Sequence, residues 1–158
     1  MLRITSTAFR HQEPIPTKHT CEGDDISPAL HWDSTPEGTQ SLALIVDDPD
    51  APDPEAPKMV WVHWVLYNLP PDCKGLAEGI SAEALPKGTC EGYNDWKREG
   101  WGGPCPPVGR HRYYFRLYAL ERRLPDRPRV SRAELDQMMR GHILAEATLM
   151  GTYQKKRA

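Results

Sequence analysis

The chain has 158 residues, of which 39% are apolar and 27% are charged, and its formal net charge is −2. This length suits one domain around one core, so residues 1–158 are predicted to form a single domain. The slight negative charge argues against a nucleic-acid binder that works by bulk electrostatics, and no apolar run approaches the roughly 20 residues of a membrane-spanning helix.

The first third of the chain predicts short strands separated by turns. Leu2 and Ile4 alternate with polar residues as in a strand. This N-terminus lacks the apolar segment of a signal peptide, so a cytoplasmic location is expected. Residues 13–28 are rich in turn-forming Pro, Gly, Asp and Ser, and residues 30–32 predict a short strand. Residues 42–46 are all apolar, which is typical of a central strand.

An acidic segment follows this central strand. Residues 47–52 read Asp-Asp-Pro-Asp-Ala-Pro and are predicted to form a rigid loop, because proline fixes φ and removes a donor. Residues 60–68 predict a second strand, covered on both sides, with one face made of Trp61, His63, Val65 and Tyr67. Ionisable groups beside apolar strands are expensive to desolvate without a partner or a ligand. The stretch 42–68 therefore predicts one wall of a small polar pocket.

The second half of the chain begins with a long irregular segment, residues 69–108, rich in Pro and Gly. Its aromatic residues favour a packed, functional loop over disorder. Residues 111–120 predict a strand whose polar residues His111 and Tyr113 stand together at the start of its core face, where a pocket at the end of a sheet would use them. Arg112 and Arg116 on the other face are expected to be solvated.

The C-terminal part carries the strongest helix signals. Ser131 and Glu134 fit a capping box, and apolar residues at helical spacing follow. Gly141 is expected to break or kink this run before a further apolar stretch at 143–150. The order of elements predicts a mainly β domain, two antiparallel sheets packed as a sandwich with C-terminal helices.

Four cysteines lack paired metal-ligand spacing and are too sparse for a disulfide scaffold: Cys21, Cys73, Cys90 and Cys105. They are therefore expected to be reduced and mostly buried, with a disulfide favoured only if the source is a hyperthermophile. The prolines around Cys105 indicate a structural turn.

Seven segments, in order along the chain, resemble the phosphatidylethanolamine-binding proteins, in particular their bacterial and archaeal Raf kinase inhibitor-like branch. They are Asp-Asp-Ile-Ser-Pro at 24–28, Asp-Pro-Asp-Ala-Pro at 48–52, Trp-Val-His-Trp at 61–64, Gly-Pro-Cys-Pro-Pro at 103–107, Gly-Arg-His-Arg-Tyr at 109–113, Leu-Ala-Glu-Ala at 144–147 and Gly-Thr-Tyr at 151–153.

The resemblance implies two packed antiparallel sheets and a small pocket for anions such as phosphate groups. It implies these pocket residues: Asp48, Asp50, Pro52, Trp61, His63, Pro104, His111 and Tyr113. It also implies a cis peptide near the acidic segment, which Pro49 and Pro52 permit. No counterpart of the eukaryotic C-terminal helix that lines the pocket mouth aligns here. The mouth is therefore expected to be open or closed by a second subunit, since some bacterial members are homodimers.

An anion pocket needs donors, and His63, His111, the Tyr113 hydroxyl and the backbone of the Gly-Gly-Pro loop can supply them. Binding is then expected to weaken as the pH rises through the histidine titration range. Because Asp48 and Asp50 would repel an anion, we expect Asp48 to orient a histidine and favour its charged form. For Asp50 two roles stay open, the same one or binding the ammonium end of a zwitterionic head group.

These residues favour a non-enzymatic protein without a cofactor that binds a small anionic or phosphorylated ligand. By the resemblance, regulation or inhibition of a kinase or a protease is a further expected role, exerted through surface loops. The alternative is a metal-dependent enzyme that uses His63, His111 and an Asp, because two histidines and a carboxylate can hold a non-haem metal.

Overall fold

Two antiparallel β-sheets make up most of the structure, a computed structural model that describes residues 1–156. The strands are β1 (Arg3–Thr5), β2 (Leu30–Asp33), β3 (Ser41–Ala51), β4 (Met59–Leu69), β5 (Gly75–Leu76), β6 (Cys90–Glu91), β7 (Arg110–Leu120) and β8 (Ile143–Gln154). The small sheet has the order β1-β2-β5, and the large sheet has the order β6-β4-β3-β7-β8. Short 3-10 turns cover Thr17–His19 and Ala82–Ala84, and the helix α1 covers Arg132–Met139.

The main core lies between the two sheets. Alternate side chains of the long strands point toward the small sheet, among them Leu44 and Val46 from β3 and Phe115 and Leu117 from β7. They pack with residues of the small sheet such as Trp32. The predicted sandwich is therefore confirmed, and β7 places its core face as the sequence predicts.

A second core covers the opposite face of the large sheet. Ile45 and Tyr67 from the sheet pack against Leu135 and Met139 of α1. The predicted capping box starts this helix: the Ser131 hydroxyl accepts the Glu134 N–H at 3.1 Å, and Glu134 in turn accepts the Ser131 N–H at 3.4 Å. Among residues 1–156, no helix is both long enough and apolar enough to cross a membrane.

Removal of this cap should weaken the packing of the helix onto the sheet. Ser131→Ala is expected to lower the free energy of unfolding by about 1 kcal/mol, because the first helical N–H groups lose their acceptor. Urea titration measures the change. The matched control is Ser34→Ala, since the Ser34 hydroxyl is exposed and bonds only its neighbour Asp33. Equal stability of the Ser131 variant and the wild type would contradict a stabilising role of the cap.

The prediction of more than one C-terminal helix is wrong. Residues 143–154 form β8, which pairs with β7 from Leu120↔Ile143 to Arg110↔Gln154. Gly141 ends the helical segment at a φ of +82°, a conformation that suits glycine. The following residues then complete the edge of β7, because its backbone groups need partners and this outweighs a local helical preference.

The acidic segment also differs from its prediction as a loop, because Asp47–Ala51 belong to β3. Asp48 pairs with Trp61 and Ala51 with Met59, with an irregular register between these pairs. Such an irregularity accommodates Pro49, which cannot donate to a sheet ladder. The Ala51–Pro52 peptide is cis, as the resemblance implies.

A β-bulge at His63 changes the predicted faces of β4. Val46 pairs with Trp64 and Asp47 with Val62, so His63 is an extra residue without a pairing partner on β3. Beyond the bulge, Val65 lies in the helix-side core, whereas Trp64 lies in the core between the sheets. The predicted single face of Trp61, His63, Val65 and Tyr67 is therefore divided at His63.

The expectation that all four cysteines are reduced thiols is wrong, because Cys21 and Cys105 form a disulfide. Their two loops are already joined by hydrogen bonds from the Cys21 N–H to the Pro104 carbonyl, at 3.1 Å, and from the Gly103 N–H to the Asp25 side chain, at 2.8 Å. This packing brings the Cα atoms of the two cysteines to 5.4 Å, within the range of a disulfide. Cys73 and Cys90 are free, half-buried thiols.

Candidate functional site

A cavity of about 350 Å³ opens at the end of the large sheet where β3 ends and β4 and β7 begin. Its walls combine these three strand ends with the loop before β7. The lining residues are Asp48, Ala51, Pro52, Met59, Trp61, His63, Trp96, Cys105, Pro106, Pro107, His111 and Tyr113. Six of the eight predicted site residues lie together in this lining, whereas Asp50 and Pro104 are outside it.

Asp48 and His111 form a buried pair at the base of the site. His111 Nδ1 lies 2.6 Å from Asp48 Oδ2, and its Nε2 lies 2.8 Å from the Val108 carbonyl oxygen. A carbonyl oxygen only accepts, so Nε2 carries a hydrogen, and the pair shares one further proton between Nδ1 and the carboxyl group. Asp48 therefore orients a histidine ring, as predicted from the sequence.

The shared proton keeps the pair electrically neutral as a unit. Burial raises the pKa of Asp48, while the hydrogen bond from His111 opposes this shift. The second carboxylate oxygen, Asp48 Oδ1, accepts the Asp50 N–H at 2.8 Å. Both oxygens of Asp48 and both ring nitrogens of His111 thus have partners within the chain.

His63 is held in one tautomer by the loop beside it. Its Nδ1 lies 2.6 Å from the Gly102 carbonyl oxygen, so Nδ1 carries the hydrogen and donates it. Burial lowers the pKa of His63 from 6.5 to about 4, so the ring is neutral at pH 7. The only N–H of this neutral ring is used inside the protein, which leaves Nε2 as an acceptor.

Tyr113 supplies a polar group that has no partner in the described part of the chain. Its side chain is 1% exposed, and its hydroxyl makes no hydrogen bond within residues 1–156. Burial, with a smaller contribution from the Asp48 charge, raises the pKa of this hydroxyl far above its usual value, so it keeps its proton. Since a buried polar group without a partner costs about 1–3 kcal/mol, this hydroxyl is well suited to a ligand in the cavity.

The structure pairs Asp50 with an arginine rather than a histidine, and its second predicted role, binding an ammonium group, stays a prediction. Its carboxylate accepts from Arg112 at Nε, at 2.9 Å, and at Nη2, at 2.8 Å, and it also accepts the Arg112 backbone N–H at 2.9 Å. The hydrogen bonds from Arg112 lower the pKa of Asp50.

The expectation of two solvated arginines holds only in part, because the Arg112 side chain is 49% exposed and that of Arg116 is 30% exposed, but both are ion-paired. Arg112 is bound by Asp50, and Arg116 donates to the fully buried Asp47, which also accepts from Arg132 at 2.8 Å. Asp47 lies on the helix side of the sheet and ties α1 to β3 and β7.

The glycine donors expected in the Gly-Gly-Pro loop are already used within the chain. The Gly102 N–H donates to the His63 carbonyl at 3.0 Å, and the Gly103 N–H donates to Asp25. Residues 104–107 read Pro-Cys-Pro-Pro, so Cys105 is the only one of the four with a backbone N–H. Cys105 lines the cavity, whereas the predicted Pro104 does not.

Sequence reasoning missed Trp96, which stands at the cavity mouth and is 39% exposed. Its ring meets His63 edge-on at 5.1 Å and Trp61 at 5.5 Å. The Asn94 side chain accepts the Trp96 N–H at 2.9 Å and so fixes the turn that carries it. The signal was the aromatic content of the irregular segment 69–108, which marked the segment as functional without selecting this residue.

The sequence model of the family described as phosphatidylethanolamine-binding protein matches residues 5–154. The chain belongs to the phosphatidylethanolamine-binding protein family. A UPF0098 protein of the archaeon Methanothermobacter thermautotrophicus is 47% identical over 155 residues, which cover 98% of this chain and 99% of that protein.

Two solved structures of phosphatidylethanolamine-binding protein relatives have the same fold. A homologue from Chlamydia trachomatis superimposes with a TM-score of 0.90 and 42% identity, over 98% of each chain. The Escherichia coli protein YbcL superimposes with a TM-score of 0.88 and 34% identity, over 98% of this chain and 99% of that one.

The geometry of the phosphatidylethanolamine-binding protein site bears on the metal-enzyme alternative. Within residues 1–156, no group of three or more His, Cys, Asp or Glu side chains is placed to hold a metal ion. Both nitrogens of His111 are committed to Asp48 and Val108, so this ring has no free lone pair for coordination. Elemental analysis of the purified protein tests the alternative directly.

Proposed function

We propose that this protein is a non-enzymatic binding protein whose cavity holds a small anionic group, such as a phosphate or a phosphorylated head group. The observation that carries the proposal is the Tyr113 hydroxyl, a buried donor that lines the cavity and has no partner in the described part of the chain. A ligand oxygen that accepts from this hydroxyl satisfies it.

The rest of the lining supports a small ligand with few polar contacts. Proline rings and the indoles of Trp61 and Trp96 make most of the wall apolar, and polar contacts are stronger in such surroundings. Cys105 lines the same wall and, unlike its proline neighbours, has a backbone N–H. The Asp48–His111 pair does not repel an anion as an isolated carboxylate would, because its shared proton cancels its charge.

Loss of the unpartnered hydroxyl should weaken binding without loss of the fold. Tyr113→Phe is expected to lower the affinity for phosphate and for phosphoethanolamine about tenfold, because a donor to the ligand is removed. Isothermal titration calorimetry measures the affinity. The matched control is Tyr114→Phe, whose hydroxyl accepts from Arg112 on the other face of β7. Unchanged affinity in the Tyr113 variant would remove this residue from the site.

Regulation of a kinase or a protease would use the surface around the cavity mouth. Met59, Val60, Trp96 and Val108 are exposed apolar side chains in or next to the lining segments. Titration of the purified chain into a kinase or protease assay tests this role, with a phosphate-saturated sample as control. This role, a homodimer and a cytoplasmic location stay predictions.

A further inference from the structure

We propose that the loop between β7 and α1 is a docking surface for a short acidic segment of a partner protein. The Asp and Glu carboxylates of that segment pair with arginines of the loop. This loop, residues 121–131, is called the arginine loop below. It is separate from the cavity and does not depend on the proposed function.

Four arginines of the arginine loop are exposed without a carboxylate partner. Residues 122–130 contain four arginines and one aspartate, a net charge of +3 in a chain whose net charge is −2. None of the four forms an ion pair within residues 1–156: Arg122, Arg123, Arg127 and Arg129. The arginines of β7 differ, because Arg112 and Arg116 are bound by aspartates.

Buried side chains of β4 fix the backbone of the arginine loop. Asn68 donates to the Leu124 carbonyl at 2.8 Å and accepts the Leu124 N–H at 2.8 Å. The Tyr67 hydroxyl likewise donates to the Arg127 carbonyl at 3.0 Å and accepts the Arg127 N–H at 3.2 Å. Leu124 and Val130 are buried in the helix-side core. The arginine side chains therefore start from an ordered backbone, which lowers the entropy cost of binding a partner.

The immediate surroundings of these arginines add no neutralising charge. Asp126 lies close to the Cys90 thiol: burial, with a smaller contribution from the Asp126 charge, raises the pKa of Cys90. Asp126 forms no ion pair within residues 1–156. The Arg123 guanidinium lies beside Gly88, so the exposed Lys87 is a further cation at the same surface.

The type of cation favours directional pairing. The basic residues of the arginine loop are all arginines. A guanidinium group binds a carboxylate through two parallel hydrogen bonds, whereas the ammonium group of lysine acts as a point charge. Bidentate pairs depend on the direction of both partners, so they suit carboxylates held along a protein segment better than a diffuse negative surface.

Carboxylates on both sides limit the length of an acidic partner. Glu121 precedes the arginines and its side chain is 50% exposed, while Glu134 and Asp136 follow on α1 and the Asp136 side chain is 44% exposed. A nucleic acid or an anionic membrane extends well beyond the loop and meets these carboxylates on a chain of net negative charge. A short acidic segment fits between them, which favours a protein partner.

The arginine loop lies at the opposite end of the large sheet from the cavity. β7 begins at the cavity with His111 and Tyr113 and ends at Leu120, next to the loop. A strand of 11 residues spans roughly 35 Å. Binding at the arginine loop therefore leaves the cavity mouth open, and each site can be tested without the other.

Fluorescence anisotropy of a labelled hexaglutamate peptide at low salt measures binding to the intact chain. The wild type is expected to bind the peptide, and Arg127→Gln/Arg129→Gln is expected to bind it about tenfold more weakly, because two bidentate pairs are lost. The matched control is Arg3→Gln/Arg10→Gln, which removes the same charge from exposed arginines near the N-terminus. Its affinity is expected to change by less than about twofold, since distant charges are screened.

A second variant separates directional pairing from charge alone. Arg127→Lys/Arg129→Lys keeps the charge and is expected to bind the peptide about threefold more weakly, because lysine cannot form the bidentate pair. Affinity equal to that of the wild type would overturn the directional pairing and, with it, the protein segment as partner. Tighter binding of duplex DNA, or of vesicles of equal parts phosphatidylserine and phosphatidylcholine, than of the peptide would overturn it as well.

The remaining outcomes separate the arginine loop from the cavity. Absence of peptide binding by the wild type, or equal weakening in the glutamine variant and its control, would overturn the docking surface. The phosphate affinity of Arg127→Gln/Arg129→Gln, measured by calorimetry, is expected to equal that of the wild type, and a loss would contradict two separate sites. Circular dichroism checks the fold of each variant. Failure of the wild type to bind phosphate would overturn the proposed function alone.

Discussion

Replacement of both Cys21 and Cys105 by serine is expected to lower the free energy of unfolding by about 4 kcal/mol. The two cysteines are 84 residues apart in the sequence, so the disulfide closes a loop of more than half the chain. In the chain-entropy account, a loop of this length restricts the unfolded state strongly and the folded state little. Urea titration of the double variant and of the wild type measures the difference.

The free cysteines provide the control for this experiment. Cys73→Ser and Cys90→Ser remove thiols that form no disulfide, so the Cys21–Cys105 link stays intact in both. Reductant should destabilise the wild type and both control variants, and should leave the double variant unchanged. Equal stability of the double variant and the wild type would contradict a structural role of the disulfide. Because Cys105 lines the cavity, phosphate affinity should fall together with stability.

A second large effect is expected on acidification, at His63. This ring is folded into the protein in its neutral form, with its pKa lowered from 6.5 to about 4. The lowered pKa of this histidine contributes stability at pH values above the pKa of the unfolded state. This contribution is lost as the pH falls from about 6.5 through about 4. The shift corresponds to about 3 kcal/mol of stability at neutral pH that is absent in acid.

The measurement compares the wild type with a variant that cannot titrate at this position. Urea titrations of wild type and His63→Gln at pH 7 and at pH 4 separate this ring from the carboxyl groups, which titrate in both proteins. The wild type should lose about 3 kcal/mol more than the variant between the two conditions. Parallel losses in the two proteins would mean that His63 is not buried as a neutral ring.

Local patterns in the sequence were sufficient to predict much of the fold. The apolar run 42–46 predicts the central strand because a short run that is apolar throughout is typical of a strand covered on both faces. Ser131 and Glu134 predict the start of α1, since a capping box depends on residues three positions apart. The ordered set of motifs predicted the family and grouped Asp48, His63, His111 and Tyr113, and all four line one cavity in the structure.

Other features could not be predicted from the local sequence, because each depends on a partner distant in the chain. Residues 143–150 have an apolar pattern that suits a helix, and only the open edge of β7 makes them a strand. The bulge at His63 depends on the register between β3 and β4. The roles of Asp50 and Arg112 were missed because the two residues are 62 positions apart and meet only after β3 and β7 pair.

The sequence by itself determined the central strands, the helix start and six of the residues that line the cavity, because side-chain periodicity and residue chemistry are properties of neighbouring residues. Only the tertiary structure decided which hydrogen-bonding groups remain available to a ligand. The Gly102 carbonyl accepts the Nδ1–H of His63, Asp48 and Val108 bind the two nitrogens of His111, and the Tyr113 hydroxyl has no partner among residues 1–156. Which donors and acceptors are used within the protein depends on groups that come together only on folding. The groups left available to a ligand therefore cannot be predicted from any one segment.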